Sequence, residues 1–156
     1  MKIAVIVVII GLIGAFVFFA ISPKMREIDS TPVPTEIPQE AEFKSFTASF
    51  EIYTNGTKRI FTDSMYHNLS EDTYISATNS EVVNVNKKGV TWGDFFATLP
   101  FSLSKDCLVT GTGQTFCSNE SYSLKFYLDD IERPNALSEE IISNSHLSIE
   151  YGLVNQ

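Results

Sequence analysis

Residues 3–21 contain neither a charge nor a strongly polar side chain, an apolar run of 19 positions. As an α-helix at about 1.5 Å per residue it would measure about 28 Å, close to the ~30 Å hydrocarbon thickness of a bilayer. A buried helix of a soluble domain rarely continues so long without one polar position. The pattern predicts a transmembrane segment over residues 1–22. Secretory signal cores are shorter and end at a small-x-small site. The nearest match is Ala20-Ile21-Ser22, and cleavage after it would leave Pro23 beside the scissile bond. The segment is therefore read as a retained signal-anchor, a single pass that attaches the chain to the membrane through residues 3–21.

After residue 42 the period changes from continuous to alternating. Phe46, Ala48, Phe50 and Ile52 are interleaved with Thr47, Ser49 and Glu51, the period-two signature of a half-buried strand. Asn55-Gly56 follows, a pair suited to the positive φ angles of a tight hairpin, and residues 57–61 are expected to return as the second strand. Residues 73–77 and 81–86 predict further strands, the latter with Val83 and Val85 on one face and Asn84 and Asn86 on the other.

Helical spacing occurs once. Trp92, Phe95, Phe96 and Leu99 form an apolar stripe, with Thr91 as N-cap, Asp94 as its capping-box partner three residues on, and Pro100 as the stop. This predicts a helix over residues 92–99. Beyond it, residues 107–109 and 115–117 flank a Gly111-Thr112-Gly113 turn, residues 121–128 read as a strand and Asp129-Asp130 as a turn. Residues 138–145 read as a polar connection or short helix, and Leu147, Ile149 and Tyr151 mark a last strand ending at Gly152. The expected fold class is β-rich α+β: a transmembrane helix, then a compact, mostly β domain over 43–156 with one short helix.

Composition separates these parts. Residues 23–42 hold four of the six prolines and five acids, too little apolar surface to offset chain entropy. They predict an acidic, proline-rich linker that, extended at about 3.1 Å per residue, reaches roughly 60 Å. The formal net charge of −8 has no basic cluster within it, so the chain lacks the phosphate-neutralising footprint of a nucleic-acid binder.

Cys107 and Cys117 are the only cysteines, an even count in the polar body. This suits a disulfide outside the cytoplasm. The predicted topology has the N-terminus in the cytoplasm and the body outside, at the cell membrane. A redox pair would more often be Cys-x-x-Cys at a helix start. His67 and His146 are 79 residues apart in sequence and sit in no ligand-spaced cluster. There is no Gly-x-Ser-x-Gly elbow. No metal site, cofactor or catalytic set is expected.

The stretch Gly89-Val90-Thr91-Trp92-Gly93-Asp94-Phe95-Phe96, with Cys107-Leu108, Cys117, Leu124-Lys125-Phe126-Tyr127 and the closing Leu147-Ser148-Ile149-Glu150-Tyr151-Gly152, resembles a family of small, uncharacterised membrane-anchored extracytoplasmic proteins over roughly residues 45–152. The order of helix, strand, turn and final strand in the second half also resembles β-grasp modules. Other members of the first family carry His-x-His pairs where this chain has Ser45 and Thr47, Ser76 and Thr78, and Asn84 and Asn86. The resemblance implies a metal-binding surface lost here, since hydroxyls and carboxamides are poor copper or zinc ligands. A plain polar, solvent-facing sheet explains the same alternation.

Three functions follow as expectations. The first is a non-enzymatic anchored module for binding or assembly with an envelope protein. The second is a degenerate copper- or zinc-binding envelope protein retaining His67 and His146. The third is an envelope thiol-disulfide protein using Cys107 and Cys117.

Overall fold

The computed structural model describes residues 43–154. The anchor expected over residues 1–22 and the linker expected over residues 23–42 lie outside the described residues. Among those described, no helix is long and apolar enough to cross a membrane.

Among the described residues, ten strands and one helix follow in chain order: β1 Phe46–Thr54, β2 Thr57–Lys58, β3 Thr73–Ser76, β4 Asn79–Val85, α1 Trp92–Thr98, β5 Ser102–Leu103, β6 Cys107–Val109, β7 Thr115–Cys117, β8 Tyr122–Leu128, β9 Ile131–Glu132 and β10 His146–Leu153. Single 3-10 turns occupy Ser64–Tyr66 and Ala136–Ser138. Seven strands make a mixed sheet in the order β3-β4-β1-β10-β8-β9, with β2 also paired to β1, and β5-β6-β7 make a separate small sheet. The parallel pair is β1 with β10, in register from Ser49 opposite His146 to Thr54 opposite Tyr151. The other ladders are antiparallel. The domain is thus β-rich α+β with one short helix.

Alternation decides which face is covered. Ala48, Phe50 and Ile52 from β1, Val83 and Val85 from β4, Leu124 and Phe126 from β8, and Leu147 and Ile149 from β10 are buried together on one face. The helix covers that face. The Phe50 ring meets Phe95 and Phe96 edge-on at centroid distances of 5.2 and 5.5 Å, an arrangement that adds to the area buried by each ring.

The capping expected at Thr91 is present. Its hydroxyl oxygen accepts from the Asp94 N–H at 3.1 Å, and an Asp94 carboxylate oxygen accepts from the Thr91 N–H at 2.9 Å and from the Thr91 hydroxyl at 2.7 Å. Backbone hydrogen bonds from Thr91 and then its side chain hold the Asp94 carboxyl below the ordinary aspartate range.

Several boundaries differ from the sequence expectation. The second strand stops at Lys58 rather than continuing to residue 61. Phe61 turns into the core against Phe50 and Tyr66, at 5.2 and 5.3 Å between centroids, because burying that ring outweighs extending a two-residue ladder. The connection over residues 138–145 is irregular after the 3-10 turn at Ala136–Ser138. It is held by Trp92 N–H to the Glu139 carbonyl and Ile141 N–H to the Val90 carbonyl. Asp129 and Asp130 form the expected turn with φ of 50° and 65°, and it returns as β9, a two-residue strand too short to leave a period of its own.

Candidate functional site

The Gly89-to-Phe96 stretch is structural at each position. Gly89 takes φ of 78° and donates its N–H to a Glu140 carboxylate oxygen at 2.8 Å. Val90 is buried, Thr91 and Asp94 cap the helix, and Trp92, Phe95 and Phe96 fill the core. Gly93 lies against the backbone at Leu137.

The six polar positions do not assemble into one cluster. Thr47 and Asn84 are direct cross-strand partners, and Asn84 faces Tyr74 on its other side. Ser45 precedes β1 and is exposed. Ser76 and Thr78 share a 3.0 Å hydrogen bond at the β3–β4 turn. Asn86 is at the far end of β4, where its amide donates to the Glu71 carbonyl at 2.9 Å. The Ser76–Thr78 pair at the β3–β4 turn and Asn86 past the other end of β4 thus lie at opposite ends of that hairpin.

Cys107 and Cys117 are direct partners in the β6–β7 ladder and are joined by a disulfide. Such a bond belongs to an oxidising, extracytoplasmic setting. Neither cysteine sits at a helix start, the position that lowers a thiol pKa for redox exchange.

The histidines are engaged separately. His67 lies 2.9 Å by Nε2 from the Phe61 carbonyl oxygen. His146 opens β10 beside β1, and there the structure builds a polar network that local pattern did not reveal. Ser49 Oγ and His146 Nδ1 are hydrogen bonded at 2.9 Å, and His146 Nε2 is 3.4 Å from Glu51 Oε1. The Tyr53 hydroxyl donates to Glu51 Oε2 at 3.0 Å, and Lys58 Nζ bridges Glu51 at 3.2 Å and Glu81 at 3.0 Å. Ser148, directly opposite Glu51, is buried, and its hydroxyl has no hydrogen-bond partner among the described residues.

Burial pushes the Glu51 carboxyl up, but hydrogen bonds from Lys58 and Tyr53 and the charges of Lys58 and His146 outweigh it and leave Glu51 below the usual glutamate range. Lys58 is raised, with its hydrogen bond to Glu81 the largest cause. Ser49, His146 and Glu51 have the residue types of a hydrolytic triad. They project from a sheet whose backbone N–H groups are directed in the sheet plane toward neighbouring strands, and the Ser49 N–H itself donates to the Ser145 carbonyl at 2.9 Å. Among the described residues, no three His, Cys, Asp or Glu side chains gather as a metal-binding group.

A separate cavity of about 260 Å³ opens beside β2, lined by buried Ile52, Phe61 and Leu108 and by Arg59 and exposed Ile60 at its edge. Residues 57–61 were expected as a strand; the strand ends at Lys58, and residues 59–61, which leave it, line this cavity.

Comparison of the chain with known families, characterised proteins and solved structures found no match. Nothing is carried over to it from a relative.

Proposed function

We propose that this chain is a membrane-anchored extracytoplasmic module for binding or assembly, without catalytic activity, in which residues 3–21 hold the anchor and residues 23–42 the spacer. One observation carries the non-catalytic reading. The Ser49–His146–Glu51 chain, the nearest approach to a catalytic set among the described residues, lies on the sheet face away from the helix with its groups bonded to one another, Glu51 also held by Tyr53 and Lys58, and the Ser49 N–H taken by the Ser145 carbonyl. A sheet with a fixed polar face, beside a small sheet cross-linked by the disulfide, suits recognition.

The domain is further read as β-grasp-like. Support comes from the central parallel β1–β10 pair, the antiparallel neighbour β4 beside β1, and the helix on the opposite face from the polar network. That architecture hosts many functions, so it adds a scaffold and no activity.

The test uses the full chain expressed in cells. The protein is expected in the membrane fraction, cleavable by protease added from outside, and its cysteines are expected to react with maleimide only after reduction. Recovery of reduced protein from the soluble cytoplasmic fraction overturns the reading. So does ester hydrolysis by the purified chain that is lost in Ser49→Ala.

A further inference from the structure

We infer that the cavity beside β2 is a binding site for a small monoanionic carboxylate with an apolar tail, with Arg59 as its anchor. The inference goes beyond the anchored-module reading and does not depend on it.

The apolar part of the cavity is made by buried Ile52, Phe61 and Leu108 and the rings of Tyr66 and Phe101, and Thr57, Thr110 and Thr112 also line it. Its lining includes two cations, Lys58 and Arg59, and no acid, in a chain whose formal net charge is −8. The two cations are not equivalent. Lys58 is neutralised by Glu51 and Glu81, whereas Arg59 makes no ion pair among the described residues.

Arg59 is nevertheless held in place. Its Nε donates to Thr54 Oγ1 at 2.8 Å, one terminal nitrogen donates to Gln114 Oε1 at 3.4 Å, and the guanidinium carbon lies 4.9 Å from the centre of the Phe116 ring. A guanidinium carries five donors, and these contacts leave most of its fork free. Arg59 lines the cavity, half-buried and without an ion pair among the described residues, and a guanidinium with free donors is complementary to a carboxylate bound side by side.

The charge state and size of the ligand follow from the same geometry. A dianionic phosphate would need a second free cation, and Lys58 is committed to two acids. A volume of about 260 Å³ equals roughly nine water molecules, room for a chain or ring of several carbons. Ile60, 72% exposed at the edge, extends the apolar path outward. The carboxylate could be that of a free organic acid or the C-terminus of a protein ending in an apolar residue.

The experiment titrates the full chain, labelled at isoleucine methyl groups, with hexanoate, with hexanol, and with the tripeptide Gly-Gly-Leu in free-acid and amidated forms. Hexanoate is expected to shift the Ile52 and Ile60 methyl resonances with a Kd on the order of 0.1–1 mM, and hexanol to bind about tenfold more weakly. Arg59→Gln is expected to reduce hexanoate binding to the level of hexanol. Ile60→Glu, a change at an exposed position that the fold tolerates, is expected to weaken hexanoate about tenfold by charge repulsion and leave hexanol nearly unchanged.

A free-acid tripeptide that binds more tightly than hexanoate identifies a protein terminus as the source. The reverse order identifies a free acid, and either order upholds the shared chemistry. The inference is overturned if hexanoate and hexanol bind equally, if Ile60→Glu leaves hexanoate unaffected, or if no methyl shift appears by about 10 mM ligand, a concentration well above the affinity expected for so few atoms.

Discussion

The Cα of Gly93 faces the backbone of Leu137 so closely that a methyl group added to Gly93 would sit 2.7 Å from the Leu137 carbonyl oxygen. Alanine is the better helix former by about 1 kcal/mol, so propensity alone favours Gly93→Ala. The neighbouring atom is backbone and cannot swing aside, and the helix must lift from the Ala136–Ser138 turn. Gly93→Ala is therefore expected to destabilise the domain by about 1–3 kcal/mol, measured by urea unfolding; an increase in stability would contradict the close approach.

Thr91 and Asp94 satisfy each other at the helix start, and the low carboxyl pKa of Asp94 gives this contact a pH signature. A depressed folded pKa means stability that is fully present above the unfolded value, about 3.9 for aspartate, and lost as pH falls through the lower folded value. Asp94→Asn is expected to cost about 1 kcal/mol at pH 7. The gap between wild type and variant should close in acid, as read from unfolding midpoints at several pH values.

Glu51 obeys the same sign from a different cause. Burial opposes ionisation, yet the hydrogen bonds from Lys58 and Tyr53 win and the carboxyl is lowered. Glu51→Gln is expected to reduce stability near neutral pH by about 1 kcal/mol, the upper range for a partly exposed ion pair. That difference should fade as pH falls below the ordinary glutamate value of about 4.3 and through the lower folded one.

The disulfide joins partners 10 residues apart in sequence. Loop-closure entropy for so short a loop stabilises the fold by about 2.8 kcal/mol. Replacing both cysteines with serine should lower the unfolding free energy by about that amount while leaving far-UV circular dichroism unchanged. A loss of the whole β signature at room temperature would mean that the small sheet holds the domain together.

What could be read along the chain was whatever neighbours in sequence decide between themselves. Alternation at residues 46–52 marked β1 and its buried face, Thr91 to Pro100 marked the helix with its cap, and Asn55-Gly56 and Asp129-Asp130 marked turns through their tolerance of positive φ. The paired positions of Cys107 and Cys117 also followed, because a short glycine-containing connection between two extended pieces favours a hairpin.

Long-range pairing lay beyond that reach. Ser49 and His146 are 97 residues apart, and they touch because β10 inserts parallel to β1 in one particular register. A register shift of one residue would send His146 to the other face, and nothing local to either strand reports which register the core will choose. The Arg59 cavity is of the same kind, since the departure of residues 59–61 from the ladder follows from how Phe61 packs on Phe50 and Tyr66. Side-chain period and capping chemistry set the elements; burial shared among distant strands set which polar groups meet, and with them both candidate sites.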